Sequence, residues 1–130
     1  MEPRIVEEKT ASLVDLEKIG KFEGHYHGGF NHVLVSVNPD KKEAGTAKFP
    51  KSIPESKGIP QHELNQTIVL PFNDLEATEA ILRKHADELA AVILEPVQGG
   101  FIPATNEFIK GLRKLTEELN IVLILCKFRF

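Results

Sequence analysis

Residues 90–125, AAVILEPVQGGFIPATNEFIKGLRKLTEELNIVLIL, decide the fold of this chain. The two ends of the stretch, at 90–94 and 121–125, are continuous apolar runs, which are typical of strands covered on both faces in a parallel sheet. Between them, apolar residues recur at helical spacing over 106–119, with charged residues on the opposite side. Strand, helix and strand at this spacing predict a βαβ unit.

The stretch before this unit predicts a further strand and helix. TIVL at 67–70 is a short apolar run stopped by Pro71, and a helix is predicted over 74–85. Asn73 followed by Glu76 is the spacing of a capping box, in which one side chain caps a backbone amide and the other reaches back. The side chains expected to face inward are Leu75, Ile81 and Leu82.

The first half of the chain is less regular. HVLVSV at 32–37 is apolar and rich enough in valine to predict a short strand. Residues 41–66 contain three prolines and many charged residues, so we expect a long surface segment there. GKFEGHYHGG at 20–29 has four glycines and no periodic apolar face, which predicts a loop.

Length and composition bound the class of protein. A chain of 130 residues, 42% hydrophobic, is expected to form one domain. Its 16 basic and 19 acidic residues are mixed along the chain, which argues against a nucleic-acid partner. Cys126 is the only cysteine, so a reducing cytoplasm fits best. The amino terminus has no apolar signal core, and no apolar run approaches the ~20 residues that cross a bilayer, so we expect a soluble protein without membrane contact.

The loop that follows the strand at 90–94 is one candidate site. Ligands of parallel α/β sheets collect at the carboxyl ends of strands, and Glu95, Gln98 and two glycines lie there. A simpler reading is that Glu95 ends the strand and that the glycines only turn the chain. Since a carboxylate beside a buried strand is costly unless something pairs with it, both readings stay open.

The second candidate is the loop with His25, Tyr26 and His27. With His32, these histidines suggest a zinc site, but the spacing matches no known ligand pattern and no acidic ligand is evident. Loop histidines are usually solvated. Flanking glycines allow a ligand to approach the backbone, and an exposed tyrosine can stack on a planar ring, so the loop favours a flat aromatic cofactor over a metal.

Sequence signatures of other enzyme classes do not occur. There is no phosphate-binding glycine loop, no dinucleotide fingerprint and no serine-hydrolase elbow. The residues alone therefore predict an α/β protein with a cofactor-like loop.

Three separated stretches resemble one known family. They are KIGKFEGHYHGGF at 18–30, LPFNDLEATEAIL at 70–82, and residues 90–124. In this order they resemble the middle of the large domain of class III, fold type I pyridoxal-phosphate enzymes, most similar to the glutamate-1-semialdehyde 2,1-aminomutase branch. The resemblance implies an α/β fold, part of the parallel-sheet three-layer sandwich of that domain. Three agreeing motifs are far more specific than one.

The resemblance implies roles for four residues. Tyr26 resembles the aromatic residue that stacks on the cofactor's pyridine ring, and His27 is its neighbour at the site. Glu95 and Gln98 resemble the Glu-Pro-x-x-Gly residues that lie beside the cofactor, which is pyridoxal 5'-phosphate. Relatives acting on ornithine or 4-aminobutyrate carry Gly-Glu where this chain has Gly-Gly at 99–100, which favours the aminomutase-like branch.

The chain also departs from the family pattern. In the family, the strand ending here at Leu125 continues into Asp-Glu-Val, and that aspartate pairs with the pyridine nitrogen; this chain reads CKFRF at 126–130. The Schiff-base lysine of relatives lies further along, and residues 1–17 do not match. We therefore expect 18–125 to be a partial large domain, flanked by an unmatched segment 1–17 and an aberrant end 126–130, as truncation, a frameshift or wrongly assigned gene boundaries would produce.

The resemblance implies a fragment of an aminotransferase or aminomutase. Its intact parent would transfer an amino group of an amino-acid or amino-aldehyde substrate and form a homo-oligomer, whereas these residues alone are expected to hold no catalytic group. They do not decide between aminomutase and transaminase. The alternative is a non-catalytic folded remnant that oligomerises or binds another chain, because strands such as 121–125 need neighbours on both sides.

Overall fold

The computed structural model describes residues 18–29 and 32–126, so the expectations for residues 1–17 and 127–130 lie outside it. The strands are β1 Lys18–Phe22, β2 Thr67–Leu70, β3 Leu89–Leu94, β4 Val97–Gln98, β5 Ile102–Pro103 and β6 Val122–Leu125, and the helices are α1 Gln61–Leu64, α2 Leu75–His85 and α3 Asn106–Glu118. The main element is a sheet of four parallel strands in the order β2-β1-β3-β6. A short antiparallel hairpin, β4–β5, follows β3.

The predicted βαβ unit is confirmed. Strands β3 and β6 are parallel neighbours, and α3 connects them and packs its apolar stripe inward. The predicted strand at 67–70 and helix at 74–85 are β2 and α2, and Leu82 is fully buried. The α/β fold expected from the resemblance is therefore confirmed. None of the described helices is long and apolar enough to cross a membrane.

The two faces of the sheet are covered differently. Side chains alternate along a strand, and register partners of parallel strands point the same way. The helix-covered face packs against Leu82 of α2 and Phe108 and Leu112 of α3. The loop-covered face lies under residues 32–66, through contacts such as that of Val69 with Val35. The helix-covered face comprises Gly20, Phe22, Ile68, Leu70, Val92, Leu94, Leu123 and Leu125, and the loop-covered face comprises Ile19, Lys21, Thr67, Val69, Ala91, Ile93, Val122 and Ile124.

The structure corrects the prediction of a strand at 32–37. Its described residues form turns, and Val35 makes only an isolated bridge to Pro54. Ser36 has a φ of 51°, a left-handed conformation that interrupts an extended strand. The segment instead covers one face of the sheet, and its Val33 and Val35 side chains are buried.

Two further corrections concern ends of elements. The loop predicted from Gly20 begins only after Phe22, because residues 20–22 complete β1. Helix α2 is capped by Asp74, whose side chain accepts from the Ala77 N–H at 3.1 Å, rather than by Asn73. The Asn73 side chain instead bonds the chain ahead of α3, at Pro103 and Thr105.

Candidate functional site

The site is built where β1 and β3 end side by side. Because these strands are parallel neighbours, the loop after β1 and the loop after β3 leave the sheet at the same edge. The Tyr26 N–H donates to Glu95 Oε1 at 2.8 Å, and the Glu95 N–H donates to His25 Nδ1 at 3.0 Å. The two loops singled out from the sequence are thus joined by a reciprocal pair of hydrogen bonds.

His25 is a buried neutral imidazole. Its Nδ1 accepts a hydrogen bond, so the ring proton is on Nε2. Burial, and then the charges of His27 and Lys21, lower the pKa of His25 to about 3. The ring lies among aromatic side chains, with its centroid 4.4 Å from that of Phe72 and 5.5 Å from that of Phe22. The expectation of solvated loop histidines is wrong here, because the loop folds down onto the sheet.

His27 is also buried, and burial followed by the charge of Lys21 lowers its pKa to about 4. Among residues 18–29 and 32–126, neither ring nitrogen of His27 has a hydrogen-bond partner, and the same holds for His25 Nε2. A buried polar atom without a partner costs about 1–3 kcal/mol. The site therefore presents hydrogen-bonding capacity that the described residues do not use.

Tyr26 lies at the surface of this loop, between two histidines. Its side chain is 45% exposed, although both neighbouring imidazoles are buried. A Cβ built on Gly28 or Gly29 would meet nothing within 4 Å, so open space lies beside the loop. The loop therefore offers an exposed phenol ring, unused imidazole nitrogens and accessible backbone, which are groups that a planar ring with polar substituents would contact.

Glu95 and Gln98 occupy different positions in the site. Glu95 is only 4% exposed and its carboxylate is held by the Tyr26 N–H, which favours a functional or positioning role over a mere strand end. Gln98 lies against Gly24, where a Cβ would come within 2.5 Å of Gln98 Nε2. Gly24 also has a φ of 84°, so both space and backbone favour glycine there.

Lys21 is the site residue that the sequence did not reveal. Its side chain is fully buried on the loop-covered face, and Nζ donates to the His25 carbonyl at 2.8 Å and to the Val35 carbonyl. Burial lowers the pKa of Lys21 to about 8, against the opposing effect of three glutamates. In the sequence, only the alternation of side chains along a strand, which places Lys21 on the same face as Ile19, could have predicted its burial. Strand β1 has too few residues for such an alternation to be recognised.

Glu23 is a second residue that the sequence did not reveal. Its Oε2 is buried and has no hydrogen-bond partner in the described part of the chain, and burial raises the pKa of the carboxyl. It lines an open cavity of about 600 Å³ together with Asn73 and Gln98. The cavity lies along the carboxyl ends of the strands, and Tyr26 and Glu95 are not among its lining residues.

Metal chemistry receives no support from the geometry. Within the described ranges, no group of three or more His, Cys, Asp or Glu side chains is arranged to hold a metal ion. Cys126 lies beyond β6, where its N–H donates to the Leu94 carbonyl at 2.8 Å. Burial, and then the charge of Glu95, raise the pKa of this thiol, as suits an unreactive cysteine.

Comparison with known proteins agrees with the geometry. The model of the class III aminotransferase family matches residues 4–126, beginning upstream of the motifs quoted above. The chain belongs to the class III aminotransferase family. Glutamate-1-semialdehyde 2,1-aminomutase of Ignicoccus hospitalis is 42% identical over 109 residues, which are 82% of this chain and 24% of the relative. The chain thus spans about a quarter of the length of that relative.

Solved structures give the same family. An ω-transaminase from Sphaerobacter thermophilus has a TM-score of 0.79 and 36% identity, covering 89% of this chain and 27% of that one. A glutamate-1-semialdehyde aminomutase from Pseudomonas aeruginosa has a TM-score of 0.67 and 28% identity, covering 89% and 24%. A variant of that aminomutase is in complex with PMP, the pyridoxamine form of the cofactor. The resemblance, the fold and the family's cofactor inferred from the sequence are confirmed.

Proposed function

We propose that this chain forms one wall of the pyridoxal-phosphate site of an aminomutase-like or transaminase-like enzyme. The observation that carries the proposal is the joined pair of loops, in which the Tyr26 N–H bonds the Glu95 carboxylate while the Tyr26 ring stays exposed. Both loops lie at the strand ends where parallel α/β sheets bind ligands. We take residues 18–125 as the part of the large domain that carries this wall.

The roles we propose follow the contacts of each side chain. Tyr26 stacks on the cofactor ring, and His27 offers its unused ring nitrogens beside it. Glu95 holds the tyrosine through its backbone N–H, and Gln98 lines the edge of the site against Gly24. When bound, pyridoxal phosphate serves as an electron sink for the amino carbon of a substrate.

We further propose that these 130 residues bind the cofactor without turning over a substrate. The resemblance places Cys126 at the position of the family's aspartate for the pyridine nitrogen, and burial raises the pKa of this thiol, so it offers no anion. Lys110 and Lys114 are exposed on α3, and the buried Lys21 amine donates to two backbone carbonyls, so we assign the Schiff base to none of these three amines. Amino-group transfer, an amino-acid or amino-aldehyde substrate and a cytoplasmic location belong to the proposed parent activity.

Titration with pyridoxal phosphate tests the site directly. Tyr26 is the only tyrosine and the chain has no tryptophan, so quenching of tyrosine fluorescence reports on this loop alone. We expect saturable quenching by wild type. Phe49→Ala, which removes an exposed aromatic elsewhere, should leave the affinity unchanged. Because Tyr26→Phe keeps a stacking ring and Tyr26→Ala removes it, absorbance titration should show affinity retained by the first and reduced about tenfold by the second.

Two outcomes would contradict the proposal. If Tyr26→Ala bound the cofactor as tightly as wild type in the absorbance titration, the stacking role would be wrong. If borohydride reduction and peptide mapping revealed one specific lysine adduct, followed by aminomutase or transaminase turnover, the expectation of binding without catalysis would be wrong.

A second candidate function is binding of another protein chain, including self-association. The β4–β5 hairpin exposes Phe101 by 89%, with Val97 and Ile102 beside it also exposed. Ile93 and Ile124 on the loop-covered face are only half-buried. Sedimentation of wild type and Phe101→Ser decides: a dimer that dissociates in the variant supports it, and a monomer in both rejects it.

A further inference from the structure

A single peptide unit, the one between His25 and Tyr26, is held at both of its polar ends. Its carbonyl accepts from Lys21 Nζ at 2.8 Å, and its N–H donates to Glu95 Oε1 at 2.8 Å. An ammonium thus faces the negative end of the peptide dipole and a carboxylate faces the positive end. The orientation of this peptide plane helps to set the direction in which the Tyr26 side chain leaves the backbone.

Lys21 also joins this loop to the cover of the sheet. Its second acceptor is the carbonyl of Val35, which lies in the segment that forms the loop-covered face. The Gly24 N–H makes a parallel connection to the Ser36 carbonyl at 2.7 Å. One buried amine therefore bonds two loops that share no element of regular structure.

Burial of this amine is otherwise unfavourable. An ammonium removed from water is stable only when its donors are used, and two of the three are used on backbone carbonyls. The charged groups around it are the carboxylates of Glu23, Glu55 and Glu95, with His25 and His27 as the titratable neighbours. Packing alone would favour a leucine or valine at this position. The hydrogen bonds to the two carbonyls therefore explain the lysine better than packing does.

We propose that Lys21 is a positioning residue that, together with Glu95, clamps the His25–Tyr26 peptide so that the Tyr26 ring is presented in one orientation. The clamp itself stands without a cofactor, whereas its consequence for pyridoxal-phosphate affinity rests on the function proposed above. The residue touches neither ring nor substrate in this scheme; it acts through Tyr26.

The test uses the full chain and Tyr26 as its only tyrosine probe. Lys21→Met removes both hydrogen bonds and leaves two buried carbonyls unpaired, so tyrosine fluorescence anisotropy should fall and cofactor affinity should drop by about tenfold or more. Lys18→Met is the matched control on the same strand and should behave as wild type, because among the described residues the Lys18 side chain makes only a part-exposed ion pair with Glu88 at 3.1 Å. Lys21→Arg, which restores a cation with several donors, should recover most of the anisotropy.

A variant destabilised elsewhere separates local from global effects. Leu112→Ala weakens the core under α3 without touching the clamp, so its folded state should keep the wild-type tyrosine signal. The proposal is overturned if Lys21→Met keeps wild-type anisotropy, or if Leu112→Ala lowers the anisotropy as much. Should Lys21→Met fail to fold, Glu95→Leu removes the acceptor of the Tyr26 N–H and gives the same decision from the other end of the peptide: lowered anisotropy supports the clamp and unchanged anisotropy overturns it. If wild type binds no pyridoxal phosphate while the anisotropies differ as expected, the function fails and the clamp stands.

Discussion

On one side of β1, Phe22 lies in a cluster of aromatic rings; on the other, its neighbour Lys21 bonds two backbone carbonyls. Phe22 is 5.5 Å from Phe108 between ring centroids, in an edge arrangement, and Phe72 joins both rings. Lys21 is equally buried, but its contacts are polar and come from irregular loops. The helix-covered face therefore stabilises the fold through apolar packing, whereas the hydrogen bonds of Lys21 on the loop-covered face hold the loops of the site in place.

The two kinds of contact differ in how precisely they fix the position of a functional loop. Apolar burial is non-directional and tolerates small shifts, so helices packed on a sheet give a firm base without fixing a loop. Hydrogen bonds to single carbonyls are directional, so they fix one loop conformation.

Phe108→Ala should have the largest effect. Truncating this buried ring, which touches Phe22 and Phe72, should lower the free energy of unfolding by about 4 kcal/mol. Urea unfolding followed by circular dichroism measures it. Lys110→Ala, on the exposed side of the same helix, should stay within about 0.5 kcal/mol. Equal losses in the two variants would contradict the packing described for α3.

Acid should act on the imidazoles of the site. His25 and His27 have folded pKa values near 3 and 4, below the ordinary 6.5, so the unfolded chain binds more protons between these values. Their stabilising effect is complete above pH 6.5 and is lost as the pH falls toward 4 for His27 and toward 3 for His25. From pH 8 to pH 5 each should remove about 2 kcal/mol from the free energy of unfolding.

Single histidine variants separate the contributions of the two imidazoles. His27→Gln removes the pH-dependent contribution of His27, so its free energy of unfolding should fall by about 2 kcal/mol less than that of wild type between pH 8 and pH 5. His62→Gln, at an exposed position on α1, should follow wild type. Urea unfolding at both pH values checks the three proteins, and parallel pH curves for His27→Gln and wild type would rule out a buried neutral His27.

The sequence predicted the helix-covered face well and the loop-covered face poorly. Continuous apolar runs and the helical period of 3.6 residues both arise from apolar burial, so β2, β3, β6, α2 and α3 could be predicted from their side chains. Strand β1 was not, because its glycine and its buried lysine break the apolar pattern. The apolar run at 32–37 was wrongly predicted to be a strand, because its valines are buried against the sheet although the segment has no regular structure.

The site was predicted in part. Tyr26, His27, Glu95 and Gln98 were chosen from resemblance, and the structure brings the loops of Tyr26 and Glu95 into contact. Their role toward a cofactor stays a prediction. The role of Lys21 and the burial of His25 could not be predicted from the sequence. They depend on contacts in the folded chain, with the His25 carbonyl for Lys21 and with the Phe72 ring for His25.

Gly24→Ala should have an intermediate effect confined to the site. A φ of 84° is strained for alanine, and the added Cβ would meet Gln98 Nε2 at 2.5 Å, so we expect a loss of about 1–2 kcal/mol in unfolding free energy. Gly29→Ala is the control, since open space surrounds that position. Thermal unfolding compares them, and a neutral Gly24→Ala would mean that Gln98 moves aside at no cost.

Asp74→Ala should have the smallest effect, and it tests which residue begins α2. The Asp74 side chain accepts from the Ala77 N–H, so its removal should cost about 1 kcal/mol in urea unfolding, whereas Asp74→Asn should retain most of the cap. Glu76 is exposed at the surface, and Glu76→Ala should change the unfolding free energy by less than about 0.5 kcal/mol. A capping box built on Asn73 requires Glu76 as its second member. If Glu76→Ala proved as costly as Asp74→Ala, the box predicted from the sequence would exist after all, and α2 would begin one residue earlier on the helix-covered face.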